Sequence, residues 1–220
     1  MRLEWPDCTN ARDLGGTPAG DGRRIRPGAL IRSDSHGLLT TTSVGTLRAL
    51  RPALILDLRW PRECERDPSP LAGDPAYRNV PLLSDPLGYE PPEDTYAPML
   101  DHNGERIARA CQEIAAAPPG AVLVHCHGGR DRTGALIALL LGVAGVDAGT
   151  IAADFARTPG TDAVAMRNTL AHADRRYGGV EAYLRQAGVP AADLDRIRER
   201  LLEPADAEGP RREQAAGSSE

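Results

Sequence analysis

The sequence predicts a single α/β domain: a mostly parallel sheet flanked by helices, with helices filling the C-terminal third. Three observations predict it. Two apolar runs, residues 53–58 and 121–125, have strand length and end at turn or loop residues. The second follows an amphipathic helical stretch and leads through a Gly-rich loop into a wholly apolar helical stretch, so helix and strand alternate around one loop. Beyond residue 149 only helix-period patterns follow.

Taken in order, the chain opens on a polar, Gly-rich stretch, Asn10-Ala-Arg-Asp-Leu-Gly-Gly16. Residues 40–50 read as a helix with Thr40 as N-cap and Val44, Leu47 and Leu50 on its apolar side. Residues 53–58 read as a buried strand, and Pro61 and Pro68 mark a loop after it. Residues 77–83 hold a short strand. Residues 84–98 are rich in Pro, Asp and Glu, as expected of a functional surface loop or lid. A helix over 104–117 carries Ile107, Ala110, Cys111 and Ile114 on one face and is stopped by Pro118-Pro119-Gly120. Strand 121–125, loop 126–134 and a buried helix over 135–143 follow. The loop thus leaves the C-terminal end of a strand, where open α/β sheets bind ligands. Helices over 149–157, 161–177, 180–186 and 191–202 complete the domain, with Gly178-Gly179 as a break. Residues 1–203 are read as one catalytic domain and 204–220, almost without apolar bulk, as a disordered tail.

Composition excludes several classes of function. The 220 residues are 41% hydrophobic, enough for one core. A net charge of −5 argues against sequence-independent nucleic-acid binding, which needs clustered positive charge. All 26 basic residues are arginine, so chemistries needing a lysine are excluded, and any grip on phosphate falls to Arg forks, backbone N–H groups and helix ends. Four cysteines, Cys8, Cys64, Cys111 and Cys126, form no C-x-x-C pair and read as free thiols. The N-terminus lacks a signal-peptide apolar region, and the longest apolar run, 135–144, is too short for a bilayer. The expectation is a cytoplasmic protein with no stable membrane insertion.

The chemistry concentrates in His125-Cys-His-Gly-Gly-Arg-Asp-Arg-Thr-Gly134, where Cys126 and Arg132 frame five residues. This spacing lets the loop curl so that its N–H groups converge on one point, and Gly128 and Gly129 permit the turns. The following helix aims its N-terminal dipole at that point, and Arg132 offers a fork to two phosphoryl oxygens. The same positive field favours the thiolate of Cys126, a nucleophile suited to tetrahedral phosphorus. A buried core thiol with an ordinary turn is the competing reading, disfavoured by the strand-loop-helix context.

The run His-Cys-x-x-Gly-x-Asp-Arg-Thr-Gly resembles the cysteine-dependent protein tyrosine phosphatase superfamily, and more narrowly its bacterial tyrosine/serine phosphatases with lipid-active P-loops. Asn10 to Gly16, Leu30-Ile-Arg-Ser33 with Asp57-Leu-Arg59 and Glu63, and Gly178-Gly-Val-Glu-Ala-Tyr-Leu184 with Gly188 resemble further blocks of that family. The resemblance covers about residues 8–203. One departure is Arg130, where the family usually carries lysine; a fork replaces a point charge.

The resemblance implies phosphomonoester hydrolysis through a cysteinyl-phosphate. Cys126 is the nucleophile, and Arg132 with the N–H groups of residues 127–132 binds phosphate. His127, Gly128, Gly129, Arg130 and Thr133 line the substrate. Asp131 is the favoured general acid, in rivalry with Asp85, Glu90, Glu93, Asp94 or Asp101 on the acidic loop, and with Asp57, which reads better as a buried ion pair. Trp5-Pro6-Asp7 matches the acid-loop tripeptide of other tyrosine phosphatases, but at the wrong place in the chain. His125 orders the loop. Asn10, Arg12 and Asp13 either line the rim or hold a turn, and Arg23, Arg24 and Arg26 read as a solvated loop. Cys64 or Cys111 could trap an oxidised Cys126. No metal or organic cofactor is implied, since His125, Cys126 and His127 alternate in direction. The partners are a phosphorylated protein or phosphoinositide substrate. A silent phosphate-binding module, or a sulfur- or arsenic-handling enzyme with the same Cys loop, are the alternatives.

Overall fold

The computed structural model describes residues 7–84 and 92–204. The tail from residue 205, together with Asp85 and Glu90, lies outside these. Five strands form one sheet: β1 (Arg12–Asp13), β2 (Leu30–Ser33), β3 (Leu54–Asp57), β4 (Tyr77–Asn79) and β5 (Val122–His125). Their order is β1-β2-β5-β3-β4, parallel throughout except for β1, which pairs antiparallel with β2. The chain reaches one side of the sheet at β4 and crosses back to insert β5 between β2 and β3. The loop after β5 therefore emerges at the middle of the sheet, flanked by strand ends on both sides.

Alternation along the strands assigns the two faces. Leu30, Leu54, Leu56, Val122 and Val124 enter the large helical core, whereas Ile31, Ile55 and Leu123 enter a smaller one with Cys8, Ala11, Val44, Leu47 and Leu71. The smaller layer is closed by α1 (Thr41–Ala49), whose N-cap Thr40 accepts from the N–H of Ser43 at 3.3 Å. The large layer is built from α4 (Gly104–Ala116) and α5 (Asp131–Val143), with α6 (Ala148–Phe155), α7 (Ala163–Tyr177), α8 (Val180–Gln186) and α9 (Ala191–Leu201) packed around them. Leu136, Leu140 and Leu141 of α5 are fully buried. The C-terminus returns to the start of the chain: Leu202 bridges Ile25, and the Arg26 N–H donates to the Leu201 carbonyl at 2.7 Å.

The helices and β3, β4 and β5 follow the sequence reading closely; β1 and β2 fall in stretches it did not read as strands, and three further differences stand out. Pro61 opens a helix, α2 (Pro61–Arg66), in place of a loop, because a first helical position has no use for the N–H that proline lacks. The irregular stretch over 84–98 ends in a short helix, α3 (Ala97–His102). The helix after the Gly-rich loop begins at Asp131, so Asp131 and Arg132 belong to its first turn. Gly178 stops α7 in the left-handed conformation, φ 86°.

Candidate active site

At the C-terminal end of the sheet, Ser33, His125 and Asp57 lie side by side in register across β2, β5 and β3, all fully buried. Cys126 follows directly, 2% exposed. The loop it opens is held from outside by its carbonyls. The His127 carbonyl accepts from the Ser35 N–H at 2.8 Å. The Gly129 carbonyl accepts from Asn10 Nδ2 at 2.9 Å and from Arg32 Nη2 at 2.7 Å, and the Arg130 carbonyl from the Gly134 N–H at 2.7 Å. No hydrogen bond is made by the N–H groups of residues 127–132 among the described residues. Carbonyls turned away and N–H groups left unspent at a helix N-terminus make an anion cradle. Gly129 is obligatory here: its φ is 61°, and a Cβ would lie 2.4 Å from the Ser33 carbonyl oxygen. Gly128 faces open space.

The support behind the loop comes from the N-terminal signature. Arg12 donates to the Asp154 carboxylate at 2.9 and 3.1 Å and to Asn10 Oδ1 at 2.6 Å, and Arg32 reaches the same carboxylate at 3.2 Å. Burial pushes the Asp154 carboxyl up, but the two guanidinium groups outweigh it and hold it below the usual range. Asp13 takes another part: its carboxylate accepts from the N–H groups of Gly15 and Gly28 at 2.9 and 2.8 Å and so holds a turn. Asn10 and Arg12 thus brace the cradle rather than line its rim.

Arg132 is set by α2. Glu63 accepts from both guanidinium termini at 2.6 and 2.8 Å, and the guanidinium lies over the Trp60 ring, 4.7 Å from its centroid. Glu63 also accepts from the Trp60 N–H at 2.8 Å. Burial raises its carboxyl, yet Arg132 and this N–H bring it below the usual range.

Asp131 accepts from the Tyr96 hydroxyl at 2.6 Å and from Arg130 Nε at 3.2 Å to each oxygen. Together with Glu93, Phe155 and Asp162, these residues line a cavity of about 500 Å³ beside the loop. Of the described rivals for the acid, Glu93 lines the same cavity as Asp131, whereas Asp101 and Asp57 are engaged elsewhere. Asp101 accepts from His172 at 2.8 Å and Tyr177 at 2.6 Å, against α7. The Asp94 carbonyl accepts from Asn168. Asp57 is buried under donors from Arg59, through both its guanidinium and its backbone N–H, and from Tyr77 and Cys64. Burial raises its carboxyl, but His125, Arg59 and Tyr77 hold it far below the ordinary range. It is the loop-anchoring ion pair the sequence suggested. Asp7 caps α1 through Thr40 and Ser43, which disposes of the Trp-Pro-Asp coincidence.

His125 stacks on His36 with centroids 3.9 Å apart, and burial first of all pushes both rings below the ordinary histidine range. Thr133 is fully buried, its hydroxyl without a partner among the described residues, whereas His127 is exposed. Cys64 and Cys111 are free thiols pushed up, chiefly by burial, to about 11 and about 12, so neither is a ready thiolate. Arg23 faces Asp21, while Arg24 and Arg26 donate to backbone carbonyls of the loop and of α9. Sequence reading assigned no role to Arg32, Trp60 or Tyr96; the first two carried no signal beyond lying in or beside family-like blocks.

The sequence profile of the tyrosine phosphatase family matches residues 3–161 and 159–203, spanning the cradle and everything that braces it. The chain belongs to the tyrosine phosphatase family. A tyrosine-protein phosphatase of Nostoc commune is 28% identical over 234 aligned positions, covering 84% of this chain and 78% of that one. The triple specificity protein phosphatase PtpB of Mycobacterium tuberculosis is 28% identical over 280 positions, 90% of this chain and 98% of its own length. The enzyme is therefore a phosphatase of an α/β fold with a mostly parallel sheet. Among the described residues, no helix of this phosphatase is long and apolar enough to cross a membrane.

Proposed function

We propose that this phosphatase hydrolyses phosphomonoesters on proteins, phosphotyrosine foremost, through a cysteinyl-phosphate intermediate. The observation that carries the reading is the cradle itself. Its outward carbonyls are pinned by Ser35, Asn10 and Arg32, its N–H groups are unspent, and the Arg132 fork is fixed beside it. The phosphoryl oxygens take the N–H groups of residues 127–132 and the guanidinium of Arg132. Such donors are preorganised for the charge of the trigonal-bipyramidal transition state. Cys126 Sγ attacks phosphorus, and the ester oxygen leaves with a proton from Asp131. Water, activated by the same carboxylate, then cleaves the S–P bond. Gly128 leaves room for substrate, and His127 and Arg130 stand at the mouth. Thr133 sits too deep to meet substrate and serves the first turn of α5.

The second reading is a dual-specificity or phosphoinositide-active enzyme, favoured by the Arg130 fork at the rim, 48% exposed. Glu93 and Asp162 on the cavity beside Asp131 oppose a headgroup bearing several phosphates and suit a peptide better. A non-catalytic phosphate-binding module is disfavoured by the presence of both Cys126 and Asp131 beside the cradle. A cytoplasmic location agrees with free thiols at all four cysteines.

Cys126→Ser tests the mechanism. The variant is expected to lose turnover while still binding vanadate and a phosphotyrosine peptide, because the cradle persists and a hydroxyl is a far weaker nucleophile. Rapid quenching of the native enzyme should capture a phosphoryl group on Cys126 by peptide mass. Turnover retained by the serine variant would overturn the mechanism. A substrate panel of phosphotyrosine, phosphoserine and phosphoinositide ranks the three classes.

A further inference from the structure

We propose that Tyr96 is a positioning residue for the acid step, its phenol deciding which oxygen of Asp131 carries the proton. The proposal rests on the reading of Asp131 as general acid. Among the described residues, two side chains donate to that carboxyl. Arg130 Nε lies 3.2 Å from each oxygen and so does not distinguish them. The Tyr96 hydroxyl donates to Oδ1 alone, at 2.6 Å. A protonated carboxyl that accepts a hydrogen bond at Oδ1 keeps its own hydrogen on Oδ2. Tyr96 thereby breaks a symmetry that Arg130 leaves intact.

The phenol is well placed to do this because its ring is fixed. Tyr96 is 6% exposed and stands edge-on to Phe155, centroids 5.6 Å apart at 77°. Its backbone N–H donates to Thr169 Oγ1 of α7 at 2.7 Å, and that hydroxyl donates on to the Ala165 carbonyl at 2.7 Å. Phe155 belongs to α6 and Thr169 to α7, so two helices outside the cradle fix the phenol that meets Asp131. An orientation set beforehand costs nothing when the reaction occurs.

In the step itself the Sγ–P bond forms and the ester P–O bond breaks. The electron pair of that bond passes to the leaving oxygen, which takes the proton from Oδ2 of Asp131. The phenolic hydrogen stays on Tyr96 throughout, and Asp131 ends as a carboxylate still accepting from it.

The test compares kcat/KM for phenyl phosphate and for 2,4-dinitrophenyl phosphate, whose leaving group needs little protonation. Tyr96→Phe keeps the ring against Phe155 and deletes one oxygen. It is expected to lose about tenfold on phenyl phosphate, a fraction of the full general-acid contribution, and several-fold less on the dinitrophenyl ester. Vanadate affinity should match the native enzyme, and Tyr96→Phe placed on Asp131→Asn should add no further loss. Thr169→Val, which loosens the backbone anchor and keeps the phenol, should show the same pattern more weakly. Equal losses on both esters, or additive losses in the double variant, would overturn the positioning role. If Asp131→Asn steepens the leaving-group dependence and Tyr96→Phe does not, the acid stands and the inference fails. If neither variant changes it, the acid assignment itself fails.

Discussion

The Arg132 guanidinium, proposed to grip the phosphoryl group, is held by two hydrogen bonds to Glu63 and laid on the Trp60 ring. Holding the fork this way removes rotamer freedom that binding would otherwise cost. Glu63→Gln keeps the size and deletes the charge. Hydrogen bonds to charged groups contribute about 1.5–3 kcal/mol, so kcat/KM on p-nitrophenyl phosphate should fall roughly 10- to 100-fold. Vanadate affinity should fall in step, and the thermal midpoint should move little by comparison. An unaffected kcat/KM would show that Arg132 orients itself. Gly129→Ala acts on the other side of the cradle. The new Cβ meets the Ser33 carbonyl at 2.4 Å, and the left-handed φ of 61° adds backbone strain of about 1–3 kcal/mol. Lower stability in urea together with lost turnover is the expected outcome.

The N-terminal segment around β1 is where stability and activity are joined. Arg12, Arg32 and Asp154 form a buried cluster whose hydrogen bonds pass through Asn10 to the cradle's Gly129 carbonyl. Asp154 stands in α6, so a residue far along the chain keeps the first strand and the loop together. Asp154→Asn leaves two buried guanidinium groups without their counter-charge, a change that costs about 3–5 kcal/mol when one partner of a buried pair is removed. Equilibrium urea unfolding should record it. The pH dependence follows from the carboxyl being held below its ordinary value. A depressed carboxyl contributes stability that is fully present above its unfolded pKa, about 3.9, and is lost as pH falls through the lower folded value. The Asp154 contribution should therefore be flat from neutral pH to about 5 and weaken below about 4, and Asp154→Asn should show a shallower acid slope than the native protein there. Asn10→Ala separates the two roles of the segment, since it leaves the Arg12–Asp154 pair in place. It should lower kcat/KM more than it lowers the urea midpoint.

At the scale of the whole molecule, α5 is both the wall of the cradle and the centre of the large core. Leu136 and Leu140 are fully buried, and the helix packs on the sheet, α6, α8 and α9. Leu140→Ala should cost about 2–5 kcal/mol in urea unfolding, while the folded fraction keeps its kcat/KM, because the cavity opens away from the first turn. The strand 121–125, the loop and the helix behind it were legible because they are local. A five-residue apolar run, paired glycines and an apolar helix each leave a pattern within a dozen residues. The same locality made Cys126, Asp131 and Arg132 readable as a unit, and the family-like blocks at Asn10 and Glu63 readable as motifs without roles. β2 was not legible as a strand, since Arg32 and Ser33 are polar and only burial against the loop explains them. Nor was the choice between Asn10 lining a rim and bracing a loop, because its partners, Gly129 and Asp154, lie more than a hundred residues away or act through Arg12. Sequence by itself determined the fold class, the cradle and its family resemblance, for periodicity and spacing are properties of neighbouring residues. Tertiary structure alone decided that Glu63 holds Arg132, that Arg32 and Asn10 turn the loop carbonyls outward, and that Tyr96 reaches Asp131. These are hydrogen bonds between groups distant in the chain, and their geometry exists only once the sheet and the C-terminal helices have closed around them.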